Sequence, residues 1–335
     1  MKNNLLIAIV MAALLASCSL PTRGPQMITI RGVVFGTYYS IIYYDDENRV
    51  LQEQTDSLFS DFNSSLSFYD QESLLSRINR NEAHHADDYM KVVFRRAQEI
   101  SEETDGAFDA TVFPLVNAWG FGFSEKEEMT QEIVDSILEF VGFDKVRMEN
   151  GRIEKDDPRV QLDFNAIAKG YAADVVGAFL ESLGINTYMV EIGGDLFARG
   201  IKPDDSKWRI GLEMPAPDMH ASQEWMYFVE IEDTGLATSG DYRRYHEVDG
   251  RRYSHTINPK TGYPVDHQLL SASVFAVDAM SADAYATAIM VMGLDDAVHF
   301  VESRDDLEAY LVFAEDEEFG YYVSSGLHLL TRDDL

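Results

Sequence analysis

The sequence has little cysteine and little positive charge, and each shortage excludes a class of protein. Cys18 is the only cysteine among 335 residues, so the chain cannot form an internal disulfide. Lys and Arg number 27 against 58 Asp and Glu, which gives a formal net charge of −31. Because binding to phosphate backbones needs a basic face, this balance excludes nucleic acid as a partner and disfavours peripheral binding to anionic lipid. An anionic ligand would therefore need a local patch of cations or a metal.

The amino-terminal residues have the composition of an export signal. Lys2 precedes an apolar run over 5–15, which is too short for a membrane span and ends in small residues. The sequence Leu-Ala-Ser-Cys over 15–18 resembles the bacterial lipobox, and that resemblance implies a diacylglyceryl thioether on Cys18. The alternative is a plain secretory signal in which Cys18 is incidental.

We expect residues 1–17 to be a lipoprotein signal peptide, residues 18–26 a tether and residues 27–335 one folded domain. On this interpretation the mature protein starts at Cys18 and is exported. It is anchored by its lipid to a bacterial membrane and faces the periplasm. After residue 26 no stretch of the sequence is long and apolar enough to cross a bilayer.

The remaining sequence mixes strand and helix patterns, which predicts an α+β fold. Residues 27–44 are rich in Ile, Val, Tyr and Thr and predict a hairpin that turns at 35–37. Apolar residues at helical spacing predict helices over 50–62, 89–104, 130–141, 166–183 and 281–292, the last two ended by glycine. Further strands are predicted over 187–192, 208–213, 225–232, 271–277, 310–314 and 321–324.

Two sequence blocks have residue types that suit a planar or anionic ligand. In the first, from Thr104 to Asp109, glycine allows close backbone approach and Phe108 offers an aromatic ring. A structural turn with core aromatics is the alternative. In the second, Asp163 precedes the predicted helix and Lys169 lies in its second turn, where helix amides and an ammonium favour phosphate. A surface lysine on an amphipathic helix is the alternative.

Two further blocks combine turns with polar side chains. The predicted strand 187–192 runs into Gly193-Gly194-Asp195, whose backbone amides can face a pyrophosphate, and a plain tight turn after a strand is the alternative that this block favours on its own. His255 lies beside hydroxyl residues and the turn Asn258-Pro259-Lys260-Thr261-Gly262. Imidazole titrates near neutral pH, so His255 is a candidate for proton transfer, and a structural histidine is the alternative.

The fifth block predicts a metal site. Asp283 and Thr287 stand at i and i+4 of a predicted helix, so their oxygens lie on one face. A carboxylate and a hydroxyl, completed by a backbone carbonyl and phosphate oxygens, suit Mg²⁺, which takes few protein ligands and retains water. An alanine-rich packing helix with an ordinary Asp and a buried Thr is the alternative.

In this order the blocks resemble the ApbE-like FAD:protein FMN transferases, a family of bacterial lipoproteins. The resemblance covers about 33–293 and rests on these motifs: Phe35-Gly36-Thr37, Phe68-Tyr69-Asp70, Ser76-Arg77-Ile78-Asn79, Asp105-Gly106-Ala107-Phe108-Asp109, Asn165-Ala166-Ile167-Ala168-Lys169-Gly170, Glu191-Ile192-Gly193-Gly194-Asp195, Thr238-Ser239-Gly240-Asp241-Tyr242, Ser254-His255 and Ala282-Asp283 through Thr287. It implies a single-domain flavin transferase fold with a mixed sheet and packed helices.

The resemblance also implies a set of ligand contacts. FAD would be bound by Phe35, Tyr69, Ala107, Phe108, Asp109, Asp163 and Lys169. Mg²⁺ would be held by the Ala166 carbonyl with Asp283 and Thr287, and His255 would be catalytic. Two positions depart from the usual family pattern: Phe35 replaces a methionine, and Asn258 replaces the aspartate that begins the turn after His255.

The implied reaction transfers FMN from FAD to a Thr or Ser hydroxyl of an acceptor protein and releases AMP. The family suggests flavin subunits of membrane redox complexes as acceptors, of the sodium-pumping NADH:quinone oxidoreductase or Rnf type. Two alternatives are a Mg²⁺-dependent FAD pyrophosphatase and a non-enzymatic FAD-binding lipoprotein. The sequence does not identify the acceptor, the general base, the membrane or the oligomeric state.

Overall fold

The computed structural model describes residues 24–123, 129–213, 225–240, 245–248, 251–254, 256–315 and 318–334. The strands are β1 Gln26–Val34, β2 Thr37–Asp45, β3 Val146–Glu149, β4 Arg152–Lys155, β5 Tyr188–Ile192, β6 Asp195–Arg199, β7 Trp208–Glu213, β8 Trp225–Ile231, β9 Thr234–Gly240, β10 Tyr245–Val248, β11 Arg251–Ser254, β12 Leu269–Ala276, β13 Glu308–Glu315 and β14 Glu318–Val323.

The described helices are α1 Gln52–Leu66, α2 Leu74–Asn79, α3 Asp88–Glu103, α4 Phe113–Ala118, α5 Gln131–Leu138, α6 Ala168–Ser182, α7 Ala279–Met292 and α8 Leu294–Glu302. Short 3₁₀ turns lie at Phe143–Lys145 and Arg332–Asp334. No helix in the described ranges has the length and apolar character needed to cross a bilayer.

One sheet organises the fold. Its strands run in the order β1-β2-β5-β6-β9-β12-β13-β14. The α+β class is confirmed, but the expectation of a mixed sheet is wrong, because all seven pairings between these strands are antiparallel. The physical reason lies in the connections. Whether a connection is a short hairpin or a long excursion, the chain enters the next strand at the same end of the sheet at which it left the previous one, so neighbouring strands run in opposite directions.

Each face of the sheet buries a different core. The alternation along β2 shows this, because Tyr39, Ile41 and Tyr43 join the main core with the helices, while Ile42 and Tyr44 face the opposite side. On that opposite side the β7–β8 hairpin covers a smaller core that includes Trp208. A third cluster forms around Trp119 and joins α4 to the turn after β11. The sheet is therefore sandwiched between helices and a hairpin.

The α7 helix is the most deeply buried helix of this core. Eleven of its fourteen residues are buried, many of them alanines that allow neighbouring backbone to approach closely. Its first amides are capped by two carboxylates, since Asp278 accepts from Ser281 at 2.6 Å and Asp174 of α6 accepts from Ala279 at 3.0 Å. The cap from Asp174 fixes α7 against α6.

The sequence-predicted elements are largely confirmed. The first hairpin turns at Phe35 and Gly36 as predicted, and Phe35 adopts a φ of 51°, in the left-handed region that glycine favours. The predicted helices and strands all appear, most of them with shifted ends, and the strand over 208–213 has the predicted bounds. Sequence reasoning missed β3, β4, β6, β9, β10, β11, α2, α4 and α8, which are short or hold small and polar residues. The predicted signal peptide and Cys18 lie outside the described residues.

The contact between α6 and α7 requires glycine at position 170, which gives the first prediction. A Cβ atom at Gly170 would lie 2.0 Å from the Ala279 carbonyl oxygen. We expect Gly170→Ala to lower the free energy of unfolding by about 1–3 kcal/mol, because backbone must move to relieve the overlap. Urea denaturation measures this. Ser182→Ala at the exposed end of the same helix is the control, and an equal effect of both variants would contradict the close contact.

Candidate active site

Three sequence blocks meet at one cluster of charges. Lys169 extends from the first turn of α6 and forms a salt bridge with Asp195, the first residue of β6. The same ammonium lies 3.8 Å from Oδ1 of Asp283 on α7. Both carboxylates are almost fully buried, whereas the Lys169 side chain is 36% exposed. The accessible side of the cluster, here called its mouth, is therefore the positive Lys169 ammonium, and the two buried carboxylates lie beneath it.

The structure places Asp283 and Thr287 on one face of α7, as predicted from their spacing. Asp283 Oδ2 accepts a hydrogen bond from the Gly170 amide at 3.1 Å, so it lies against the start of α6. The Thr287 hydroxyl lies 3.4 Å from the hydroxyl of Ser239 on β9. Ala166 comes two residues before α6, in the turn that leads to Lys169. The three predicted metal ligands thus belong to segments in direct contact.

Burial controls the electrostatics of this cluster. Desolvation is the largest effect on Asp195 and Asp283, and it raises the pKa of both carboxyls. The charge of Asp283 raises the pKa of Asp195 further, whereas the Lys169 ammonium opposes the rise at both. One lysine therefore compensates two buried carboxylates incompletely. Such a site favours an added cation.

The Asp109 loop is held by its own hydrogen bonds. The Asp109 carboxylate accepts from the amide and the hydroxyl of Thr111, both at 2.7 Å, and from the Phe143 amide at 2.9 Å. Burial nevertheless raises the pKa of Asp109. Phe108 is 2% exposed and packs in the main core, and Ala107 packs partly against the same core. A ligand at this loop would therefore meet backbone and the Asp109 edge more than the Phe108 ring.

Asp163 lies beside the Asp109 loop. Its amide donates to the Ala110 carbonyl at 2.7 Å, which joins the second sequence block to the first. Its carboxylate accepts from the Asn165 amide at 2.8 Å, an Asx turn before α6. Desolvation raises the pKa of Asp163 to about 6.

The turn after His255 is joined to the same loop. Asn258 Oδ1 accepts from the amides of Lys260 and Thr261, so the amide side chain supports the turn. Lys260 reaches Asp105 at 2.5 Å, and the Trp119 indole donates to the Gly262 carbonyl at 2.8 Å. His255 itself lies outside the described residues.

Two cavities flank these segments. One of about 600 Å³ is lined by the Asp109 loop, the Phe143 turn and the Asn258 turn, including Asp105, Asp109 and Lys260. The other, of about 360 Å³, lies on the β7 side of the sheet and is lined in part by Gly193, Gly194 and Thr238. The residues next to these in sequence, Asp195 and Ser239, belong to the charge cluster and the Thr287 contact.

The other two predicted aromatic contacts, Phe35 and Tyr69, lie in different ring clusters. Phe35 packs on Phe59 and Phe62 of α1, with ring centroids 5.7 and 5.5 Å apart. Tyr69 is 70% exposed and contacts Phe68 and Phe123. Tyr69 therefore presents an accessible ring, whereas Phe35 is fixed by packing.

Sequence reasoning missed three residues of the site. Asp195 stood within a recognised motif, but nothing in the sequence showed that it pairs with Lys169. Ser239 stood in another motif, yet its contact with Thr287 depends on how β9 meets α7. Asp174 caps α7, and the sequence held only a weak sign of this role, which is an acidic residue inside a largely apolar predicted helix.

The raised pKa of Asp163 gives a prediction for stability against pH. The folded protein holds this proton more tightly than the unfolded chain, so stability falls as pH rises from about 4 to about 6. Asp163→Asn removes the titration and keeps an acceptor for Asn165. Because Asp163 retains some solvent contact, we expect the variant to gain about 1–2 kcal/mol relative to wild type across this range. Urea denaturation at both ends of the range measures it, and a pH-independent difference would contradict it.

Comparison with known proteins places the chain in a family. The sequence matches the ApbE family over residues 35–311. A FAD:protein FMN transferase of Vibrio cholerae is 36% identical over 96% of this chain and 97% of that protein, and the Haemophilus influenzae enzyme is 35% identical over 98% and 97%.

Solved structures agree with this match. Flavin transferase ApbE from Vibrio cholerae has a TM-score of 0.79 at 34% identity and covers 90% of this chain and 98% of that one. The apo form of Pseudomonas stutzeri flavinyl transferase ApbE has a TM-score of 0.82 at 32% identity and covers 92% and 97%. The protein therefore belongs to the ApbE family.

Proposed function

We propose that the protein transfers FMN from FAD to a Thr or Ser hydroxyl of an acceptor protein, with Mg²⁺ as cofactor and AMP as the second product. The observation that supports this proposal most directly is the cluster of Lys169, Asp195 and Asp283 beside Thr287. In this cluster buried carboxylates lie next to an accessible ammonium. Relatives that carry the name FAD:protein FMN transferase match nearly the whole chain, which supports the same reaction.

The donor atoms present fit Mg²⁺. Asp283 offers a buried carboxylate whose charge Lys169 compensates only in part, and Thr287 offers a hydroxyl one turn later. Ala166 supplies a backbone carbonyl at the adjacent helix start. In the part of the chain that the structure describes, no group of three or more His, Cys, Asp and Glu side chains is placed to hold a metal. A cation that takes few protein ligands and completes its shell with water and phosphate suits this set.

The proposed transfer needs placement and charge neutralisation more than covalent chemistry. The acceptor oxygen forms a bond to the FMN phosphorus, the bond from that phosphorus to the AMP oxygen breaks, and AMP leaves. Bound Mg²⁺ would supply charge neutralisation on the pyrophosphate. Lys169 supplies a second positive charge at the mouth of the cluster, and the proton of the attacking hydroxyl passes to a base, for which we propose His255.

The flavin nucleotide would extend from this cluster along the loops already described. Asp163 and the Asp109 loop are joined through Ala110, and Tyr69 offers an exposed ring for a planar group. Ala107 and Phe108 would contribute backbone at the same loop, and Phe35 would contact the ligand from the β1–β2 turn. These assignments follow the family motif and define the substrate part of the proposal.

The acceptor and the location are further parts of the proposal. We expect a lipid on Cys18, export, and a membrane-anchored enzyme facing the periplasm; the support is the sequence over 1–18. Such an enzyme would modify flavin subunits of membrane redox complexes, of the sodium-pumping NADH:quinone oxidoreductase or Rnf type. Incubation with FAD, Mg²⁺ and a candidate acceptor separates transfer from hydrolysis. Transfer gives protein-bound flavin and AMP in equal amounts, hydrolysis gives free FMN, and simple FAD binding gives neither.

Metal dependence provides one prediction. Asp283→Asn keeps an acceptor for the Gly170 amide but removes the charge that would bind Mg²⁺. We expect Mg²⁺-dependent AMP release to fall by roughly 100-fold or more, since the metal supplies several kcal/mol of charge stabilisation. Asp295→Asn, at an exposed carboxylate of α8, is the matched control. Full Mg²⁺-dependent activity in Asp283→Asn would show that the metal assignment is wrong.

The proposed base provides another prediction. If neutral His255 accepts the proton, the transfer rate falls as pH drops below about 6.5, the usual imidazole pKa. His255→Gln should bind FAD normally, lose most transfer, and show a residual rate that varies little with pH. His328→Gln, at an exposed histidine, should keep the wild-type profile. Loss of FAD binding in His255→Gln, or a retained wild-type pH profile, would assign His255 to binding instead.

A further inference from the structure

In the described part of the chain, two carboxylates lie near the Lys169 ammonium, and one of them is much closer than the other. Lys169 forms a direct salt bridge with Asp195 and lies 3.8 Å from Asp283. Among the described residues, these are the carboxylates within 4.0 Å of its ammonium. Asp283 is the carboxylate that the proposed metal needs. The position of Lys169 therefore decides whether Asp283 stays available.

Asp195 is fixed in place on three sides. It follows a Gly193–Gly194 turn with φ of 60° and 100°, and a Cβ atom at Gly193 would lie 2.8 Å from the Thr37 side chain. Its backbone also pairs with Ile192 of β5, and the next residue pairs with Leu236 of β9. The side chain is 3% exposed, so it has no room to follow a moving lysine. Asp195 is thus a rigid anchor for a flexible ammonium.

Among the described residues, removal of that anchor would leave Asp283 as the carboxylate within 4.0 Å of the Lys169 ammonium. The buried Asp283 carboxylate would attract the ammonium strongly, because water screens little at that depth. A direct Lys169–Asp283 pair would occupy the oxygens that a cation needs and would repel it. It would also draw the ammonium inward from the mouth of the cluster.

We infer that Asp195 is a positioning residue, which holds Lys169 away from Asp283 so that the carboxylate can bind the metal and the ammonium can meet an FAD phosphate. The inference rests on the proposed function. It assigns to Asp195 a role in metal affinity although Asp195 is not itself a proposed ligand. Supporting groups of this kind commonly change metal affinity when they are altered.

Metal binding tests the inference without turnover. Mn²⁺, which binds similar oxygen sites, is titrated into the full-length protein and followed by its electron paramagnetic resonance signal. Asp195→Asn removes the charge and keeps nearly the same side-chain volume. We expect it to weaken Mn²⁺ binding by roughly 10-fold to 100-fold. Unchanged Mn²⁺ affinity in Asp195→Asn would overturn the inference.

The double variant separates positioning from a structural effect. Lys169→Met removes the ammonium, so Asp195→Asn combined with Lys169→Met should bind Mn²⁺ as tightly as Lys169→Met alone. A loss that persists in the double variant would overturn the inference, because damage to the fold would not depend on the lysine. Circular dichroism of each variant checks that the fold is retained.

FAD binding in EDTA gives the second readout. Quenching of flavin fluorescence should show weaker binding in Lys169→Met, in Asp195→Asn and in the double variant, since each takes the ammonium from the phosphate. Wild-type FAD affinity in Asp195→Asn together with a loss in Lys169→Met would contradict the repositioning. The proposed function is tested apart from this: if Asp283→Asn binds Mn²⁺ like wild type, the metal site and the inference both fail. If only Asp195→Asn does so, the inference alone fails.

Discussion

The close contact of α6 with α7 is the constraint on which the site depends. Gly170 allows the Ala279 backbone to approach, and Asp174 caps the first amides of α7 from the neighbouring helix. The same contact brings the Gly170 amide to Asp283 and sets Lys169 above it. Packing and the proposed chemistry thus share one pair of helices, so a change that separates the helices would disturb the proposed metal ligands and the proposed phosphate-binding lysine together.

The burial that forms the site also costs stability. Asp163, Asp174 and Asp195 all have raised pKa values because protein replaces the water around them, and a buried carboxylate resists ionisation. Asp174 offsets its cost by capping α7, and Asp195 offsets part of its cost through Lys169. Lys169 compensates only part of the negative charge of its cluster, and the uncompensated charge lies where we propose that a cation and a phosphate bind.

Local patterns in the sequence were enough to predict the β1–β2 hairpin, α6, α7 and the shared face of Asp283 and Thr287, because each depends on residues a few positions apart. Strand order and the antiparallel sheet were not predictable in this way, since they depend on contacts between distant segments. The pairing of Lys169 with Asp195 and the core position of Phe108 could not be predicted either, because they too depend on contacts between distant segments. Motifs singled out candidate residues, while packing determined which of them lie close together.

Two unlike contacts link the Asn258 turn to the Asp109 loop and to the end of α4 that follows it. The pair of Asp105 and Lys260 is largely exposed, so dissolved salt screens it and it contributes little cohesion. The hydrogen bond from Trp119 to the Gly262 carbonyl is buried, and ions do not reach it. The two walls of the larger cavity should therefore stay together from dilute buffer to high ionic strength, even in a chain with a formal net charge of −31.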